Sequence, residues 1–224
     1  AHVLAHLIED AHPRPIEFPF LCLTVSGGHT QLIEVQSPSA MTVLGETIDD
    51  AVGEAFDKAA KILGLPYPGG PHIDQLSASG DPTFMSFNES NLPGFNFSFS
   101  GMKTSFLYAL QKEMKVNPNF INAHLNDICA SYQHALIQVL MKKLNAAQKS
   151  TKIKNIAIAG GVSANSGLRD ALTQWGAKKG LSIFLPPFRY TTDNAAMIGI
   201  AGYYQYLEGI YAPLSTSAQA KIKF

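Results

Sequence analysis

The sequence has no run of about 18 apolar residues and therefore predicts no membrane-spanning helix. Cysteine is scarce: Cys22 and Cys129 form no metal-binding or disulfide motif, so a reducing, cytoplasmic compartment is expected. An excess of one charge is also absent, because 17 basic residues balance 17 acidic residues. The overall charge gives no reason to expect nucleic-acid binding, and any such contact would need a local basic patch.

The most familiar nucleotide-binding motifs are missing as well. There is neither a P-loop nor a G-x-G-x-x-G sequence, which argues against the P-loop and Rossmann folds. The chain does contain 224 residues, 46% of them hydrophobic, which is enough for one large core or two small lobes. A helical pattern begins at Ala1 without a Met or a capping residue, so we expect this chain to be the C-terminal part of a longer protein.

Strand and helix patterns alternate along the chain. The segments FLCLTV and QLIEV predict two antiparallel strands joined at Gly27-Gly28. A helix is predicted to end at Gly64, and a longer helical region from about residue 104 to 147 is broken near Pro118. Two later segments, IKNIAIAGGVSANSGLRDAL and LSIFLPPFRYTTDNAAMIGIAGYYQYL, each predict a strand, a loop and a helix. This order is typical of an α/β fold.

Two histidines, His2 and His6, stand four residues apart in the first predicted helix. At this spacing both imidazoles lie on one helix face and could bind one cation, although spacing alone more often reflects an ordinary helix surface. A third ligand would support the metal interpretation, and Asp193 is the best-placed candidate. Asp193 also precedes a predicted helix, where it could simply be the N-cap.

Two glycine turns each follow a predicted strand, in SGGHT and in GGVSAN. Glycine allows the backbone to approach a ligand closely, and convergent amide groups suit phosphate oxygens. Each turn alone could be a plain hairpin or strand-to-helix turn, in which Ser163 or Asn165 caps the next helix. We expect both turns to open onto one cleft, because each follows an apolar strand.

The motifs occur in an order that resembles one family. SGGHTQL, GEAFDKAAKILGLPYPGGP, FSFSGMKT, GGVSAN and TDNAAMIG follow His-x-x-x-His, as in the tRNA threonylcarbamoyladenosine transferases of the TsaD type, formerly described as O-sialoglycoprotein endopeptidases. The resemblance implies the actin/Hsp70/sugar-kinase (ASKHA) fold, with two α/β lobes around a nucleotide. The first phosphate loop of the family is absent, so the first lobe is expected to be incomplete, with residues 1–50 as its remainder and residues 51–224 mainly in the second lobe.

The resemblance assigns roles to individual positions. It implies metal ligands at His2, His6 and Asp193. It implies substrate contacts at Thr24, Val25, Ser26, Gly27, Gly28, Asp57, Gly70, Asp74 and Asn165. Asp57 is also the candidate catalytic residue, which could orient or deprotonate an attacking group. The metal would be iron(II) or zinc, and the spacing does not decide between them.

The implied reaction transfers a threonylcarbamoyl group from threonylcarbamoyl-AMP to N6 of adenosine 37, in tRNAs that read codons beginning with adenine. Implied partners are tRNA and, in bacteria, an inactive TsaB-type paralogue and a TsaE-type ATPase, with a homodimer as another option. A metallo-glycoprotease is a weaker alternative, because Val3 replaces the general-base Glu of H-E-x-x-H. A non-catalytic paralogue is another, which the His pair argues against. We expect this chain alone to be inactive and to bind metal weakly or not at all.

Overall fold

A computed structural model describes residues 1–89 and 92–217 of the chain. Its centre is a mixed five-stranded sheet in the order β3-β2-β1-β4-β5. The strands are β1 (Phe20–Val25), β2 (Thr30–Val35), β3 (Met41–Glu46), β4 (Asn155–Ala159) and β5 (Ser182–Phe184). β1 and β2 pair antiparallel, as the glycine turn predicts, and β3 pairs antiparallel with β2. In contrast, β4 lies parallel to both β1 and β5.

The helices flank this sheet. They are α1 (Val52–Ile62), α2 (Gly69–Ser77), α3 (Ser100–Val116), α4 (Phe120–Ala123), α5 (Leu125–Thr151), α6 (Ser166–Lys179) and α7 (Ala195–Leu207), with 3-10 turns at Leu4–Leu7, Gly161–Ala164 and Phe188–Tyr190. Gly64 follows α1 with φ +75°, which confirms the predicted helix end. The predicted break near Pro118 is confirmed by the interval between α3 and α4.

The central strand β1 is buried along its whole length, which explains its continuous apolar sequence. Leu21, Leu23 and Val25 face the larger core, beneath helices that include α1 and α5. Phe20 and Cys22 face the opposite side, where they pack with Val3 and Ile16 from the first segment. The sheet therefore positions its loops from both sides, and the thiol of Cys22 is buried within it.

Two predictions of local structure need correction. The first segment forms a short 3-10 turn at Leu4–Leu7 rather than an α-helix that carries both histidines on one face. Helix α3 begins at Ser100, earlier than predicted. Strands from both sides of residue 50 form one sheet, and the division of the chain into lobes near that residue stays a prediction. Residues 218–224 of the predicted second lobe lie outside the described residues.

Helix α7 is unusual because most of its side chains are exposed, although its composition is apolar. Met197 is its one buried residue, whereas Ile198, Tyr203, Tyr206 and Leu207 are more than half exposed. Within the described residues, no helix is both long enough and apolar enough to cross a membrane.

Candidate functional site

The first glycine turn connects β1 to β2 and is ordered by its own serine. The Ser26 hydroxyl accepts hydrogen bonds from the amides of Gly28 at 3.3 Å and His29 at 2.9 Å. Helix α1 starts directly against this turn, and the Gly53 amide donates to the Ser26 carbonyl at 3.2 Å. A Cβ at Gly53 would lie 2.6 Å from that carbonyl oxygen, so only glycine permits this approach.

The second glycine turn follows β4 and lies beside the first. Because β1 and β4 are parallel neighbours, their carboxyl ends meet at the same edge of the sheet. Gly160 has φ +89° and packs against the Val25 carbonyl, a position where a side chain would clash. The Asn165 side chain then caps α6 by accepting a hydrogen bond from the Leu168 amide at 2.9 Å, as the sequence predicts.

The two turns border one cavity of about 350 Å³, which confirms that they open onto a common cleft. Five residues predicted to contact substrate line this cavity, and they come from widely separated segments. They are Gly27, Asp57, Gly70, Asp74 and Asn165. The remaining wall includes Phe56, Tyr67, Pro68, Pro71 and Thr192.

The polar side chains of the cavity also hold its walls together. Asp57 accepts a hydrogen bond from the Gly69 amide at 2.7 Å, which ties α1 to the start of α2. Asp74 accepts from both the amide and the hydroxyl of Ser166, at 2.9 and 2.8 Å, which ties α2 to α6. The Asn165 amide group donates to Gln133 on α5 at 2.6 Å. These contacts link α1, α2, α5 and α6 around the cavity.

An anion in this cavity would have to be bound mainly by backbone amides. No lysine or arginine lines it among the described residues. The first amides of the turn Gly161–Ala164 have no partner within that turn, and the Gly27 amide makes no hydrogen bond within the described residues. Arg169 lies behind the second turn and supports it, because it donates to the Ser163 carbonyl at 2.7 Å and to the Pro186 carbonyl at 2.6 Å.

The predicted metal ligands do not converge on one point. His2 Nε2 lies 3.2 Å from Asp193 Oδ1, and the Asp193 side chain is 91% exposed. Burial lowers the pKa of His2, although Asp193 opposes this shift. Asp193 is not the helix cap either, because Asn194 accepts the hydrogen bond from the Met197 amide.

His6 is buried and makes hydrogen bonds through both ring nitrogens. Nε2 lies 2.8 Å from the Ile158 carbonyl oxygen, which can only accept, so this nitrogen carries the proton. Nδ1 then accepts from His12 Nε2 at 2.8 Å. Burial, with the neighbouring His12, lowers the pKa of His6 to about 4. As placed here, His6 does not fit the role of a metal ligand.

Residues 1–89 and 92–217 contain no group of three or more His, Cys, Asp or Glu side chains arranged to hold a metal ion. His2 and Asp193 alone are compatible with a shared ion, since two ligands about 2.1 Å from a tetrahedral metal lie about 3.4 Å apart. However, the buried His2 Nδ1 has no hydrogen-bond partner in the part of the chain that the structure describes, whereas a metal-binding histidine usually has one there. The full set of three predicted ligands therefore does not fit this arrangement.

A second cavity of about 570 Å³ lies on the other side of the SGGHT turn. Its lining includes His2, Thr24, His29, Tyr204 and Glu208. Thr24 thus faces away from the first cavity, and Val25 lies in the core. Sequence patterns did not identify Phe56, Tyr67 or Thr192 as cavity residues. Apolar residues such as Phe56 carry no sequence signal that separates a cavity wall from a core.

Comparison with known proteins adds a family assignment. The model of the family described as "TsaD: tRNA N6-adenosine threonylcarbamoyltransferase" matches residues 1–200. A protein of that name from Christiangramia forsetii is 56% identical over 224 residues, which is all of this chain and 66% of the relative. One from Cytophaga hutchinsonii is 55% identical over 223 residues and 64% of its length is covered. The chain thus spans about two thirds of the length of these relatives.

A solved structure with little sequence identity to this chain has a similar fold. Full-length HypF in its phosphate- and nucleotide-bound form matches with a TM-score of 0.67 at 12% identity. The match covers 92% of this chain and 35% of HypF. At this identity the similarity concerns the fold alone, and it agrees with the expected α/β fold of the ASKHA type.

Proposed function

The chain belongs to the tRNA N6-adenosine threonylcarbamoyltransferase family, and on this basis we propose that its first cavity binds the adenylate donor of that reaction. The donor is threonylcarbamoyl-AMP, and the acceptor is N6 of adenosine 37 in tRNAs that read codons beginning with adenine. The observation that carries this proposal is the cavity between the two glycine turns. Five residues that the family resemblance selects as substrate contacts meet there.

The cavity has separate features that suit the parts of an adenylate. Phe56, Tyr67 and the neighbouring prolines offer apolar surface for the base, while the glycine turns offer amides to the phosphate. Its volume of about 350 Å³ is in the range of small-ligand pockets. The existing hydrogen bonds of Asp57, Asp74 and Asn165 fix the walls, so little ordering is needed on binding.

In the proposed reaction, the N6 nitrogen forms a bond to the carbamoyl carbon, the bond between that carbon and the phosphate oxygen breaks, and AMP leaves with the bonding electrons while N6 loses one proton. One oxygen of Asp57 is held by the Gly69 amide, and the second makes no hydrogen bond within the described residues. We propose that this second oxygen orients the incoming amine or accepts its proton. The amides near Gly27 and Gly161 would hold the leaving phosphate.

Of the three predicted metal ligands, only His2 and Asp193 remain in the proposal as ligands of a divalent metal. These two residues are near enough to share iron(II) or zinc, whereas His6 is engaged elsewhere. When bound, such an ion would supply Lewis-acid chemistry. No step above depends on it.

We further propose cytoplasmic tRNA as the acceptor. TsaB-type and TsaE-type subunits are the proposed partners in bacteria, with self-association as the other option. None of the described contacts favours the metallo-glycoprotease or the non-catalytic paralogue. The relatives are about one and a half times as long as this chain. We therefore propose that the 224-residue chain alone does not catalyse the reaction.

Turnover is best tested in a chimera. This chain replaces the matching 66% of the Christiangramia forsetii relative, and the product is incubated with unmodified tRNA, threonylcarbamoyl-AMP and the partner subunits. Mass spectrometry of the digested tRNA should reveal threonylcarbamoyladenosine, and Asp57→Asn should reduce its rate at least tenfold. An intact chimera that leaves the tRNA unmodified, while the parent relative modifies it, would refute the proposal.

A further inference from the structure

Five exposed lysines lie together at the end of the sheet opposite the first cavity. This lysine cluster consists of Lys149, Lys152, Lys154, Lys178 and Lys179. Lys154 immediately precedes β4, and its carbonyl accepts a hydrogen bond from the Ser182 amide at 2.9 Å, where β5 begins. The loops before these two parallel strands are therefore side by side. The cluster brings together residues from both.

The positive charge of the cluster is not neutralised by its surroundings. None of the five lysines is within ion-pair distance of a carboxylate in the part of the chain that the structure describes, whereas Lys58 is paired with Asp50 and Glu54. Glu17 is near the same edge, since its carbonyl accepts a hydrogen bond from Asn155. Five positive charges thus meet few negative ones in a chain whose net charge is zero.

Helix electrostatics explains only part of this arrangement. Lys149, Lys178 and Lys179 occupy the last turns of α5 and α6, where positive charge is favourable. Lys152 is different, because it ends α5 in the left-handed conformation with φ 63°. Gly180 has the equivalent position after α6, with φ 64°, and glycine is the residue that this conformation favours. Lys152 therefore adds a positive charge at a position where glycine would adopt the left-handed backbone conformation with less strain.

Resting on the proposed function, we propose that the lysine cluster binds the phosphate backbone of the tRNA while the cavity engages the adenylate. Lys154 and Gly161 are separated by seven residues along and beyond β4, so the two sites lie about 20 Å apart. A nucleic-acid strand carries a phosphate every few ångströms, and on the order of six nucleotides cover that distance. One tRNA can therefore contact the cluster and still reach the cavity edge.

The surroundings of the cluster favour RNA over an acidic protein. No large apolar side chain is exposed among residues 149–154 or 178–182. The centres of protein interfaces are rich in aromatic residues and poor in lysine, whereas phosphate contacts use lysine without apolar neighbours. The exposed apolar residues of this chain are concentrated instead on and after α7.

The test compares two double variants of the 224-residue chain. Lys178→Gln/Lys179→Gln removes two charges from the end of α6, and the control Lys112→Gln/Lys115→Gln removes two exposed lysines from the end of α3. The control also loses one lysine, Lys115, from the last turn of a helix, so part of any loss of stability is common to both variants. In anisotropy titrations with unmodified tRNA, the first variant should bind about tenfold more weakly and reduce the slope of log Kd against log salt by roughly 1.5. The control should match the parent chain.

A third variant, Lys152→Gly, distinguishes an effect on tRNA binding from an effect on folding stability. This change relieves the left-handed conformation and should raise the thermal midpoint, yet it should weaken tRNA binding severalfold. A purely structural role for Lys152 would leave RNA affinity unchanged. Equal tRNA affinity in the parent and in both cluster variants, or no tRNA binding by the parent, would overturn the proposal and leave an acidic protein as the alternative partner.

The same preparation distinguishes this inference from the proposed function. If a stable threonylcarbamoyl-AMP analogue binds but the affinity for tRNA is unchanged by the lysine substitutions, the cluster proposal fails and the adenylate site stands. If RNA affinity depends on the lysines but no analogue binds, the adenylate site fails and the RNA surface stands.

Discussion

Replacing glycine by alanine at three helical positions should have three different consequences. At Gly53, in the first turn of α1, a Cβ would lie 2.6 Å from the Ser26 carbonyl oxygen and 2.8 Å from the Gly27 nitrogen. These are backbone atoms of the glycine turn and cannot rotate away. At Gly70 the nearest atom would be 3.8 Å away, on Phe56, which is an ordinary contact. At Gly202, within α7, nothing lies within 4 Å.

The magnitudes follow from these distances. Gly53→Ala gains about 1 kcal/mol of helix propensity. It loses about 1 kcal/mol from the hydrogen bond to Ser26 and about 1–3 kcal/mol from overpacking. The net loss is about 2 kcal/mol, which lowers the thermal midpoint by roughly 6 °C at this chain length. Gly202→Ala should instead add about 0.5–1 kcal/mol, because the helix gains without a clash.

Thermal denaturation followed by circular dichroism, together with titration by a stable threonylcarbamoyl-AMP analogue, measures both effects. Gly53→Ala should lose stability and ligand binding, because α1 no longer docks on the turn. Gly70→Ala should stay folded but bind more weakly, because its methyl group enters the cavity wall. Gly202→Ala should bind like the parent. If Gly53→Ala is as stable as the parent and binds equally well, the close contact between α1 and the SGGHT turn is wrong.

Three further experiments test other contacts. Asp49→Asn should lower the free energy of unfolding by about 1 kcal/mol, because Asp49 accepts hydrogen bonds from Ser98, Phe99 and Ser100 at the start of α3. Burial alone would raise the pKa of Asp49, but these hydrogen bonds lower it overall. The stability that they contribute is therefore present above about pH 4 and is lost as the pH falls through the lowered pKa of the folded state. An unchanged acid unfolding curve for Asp49→Asn would contradict this. Burial raises the pKa of both Cys22 and Cys129 to about 12, so iodoacetamide at pH 8 should alkylate them only after denaturation, and rapid native labelling seen by mass spectrometry would refute their burial. His6→Phe should cost about 1–3 kcal/mol in denaturant unfolding, because the Ile158 carbonyl loses its donor, but should leave zinc binding unchanged. His2→Ala should weaken zinc binding instead, and the opposite pattern would restore His6 as a ligand.

Sequence patterns predict the local structure here better than the long-range structure. The helix end at Gly64, the Asn165 cap and the β1–β2 hairpin each depend on residues within a few positions of one another, and each is confirmed. The parallel pairing of β1 with β4 joins residues about 135 positions apart, and no local pattern specifies it. That pairing places strands from both sides of residue 50 in one sheet.

The two histidines illustrate the same limit at the candidate site. Their spacing predicts a shared face only if the segment is an α-helix, and it is a 3-10 turn, in which residues three apart rather than four eclipse each other. His6 therefore turns inward to His12 and Ile158, while His2 stays near Asp193. In contrast, five residues that motif order groups together do line one cavity, because motifs carry information about distant contacts that spacing does not. Their contact with substrate stays a prediction.

The most direct test of the adenylate site is a map of amide chemical shifts in the ¹⁵N-labelled chain during titration with a stable threonylcarbamoyl-AMP analogue. The largest changes should occur at Gly27, Gly70, Gly161 and Asn165, around the first cavity. Changes centred on His2, Thr24, His29 and Tyr204 would place the ligand in the second cavity and contradict the proposed site.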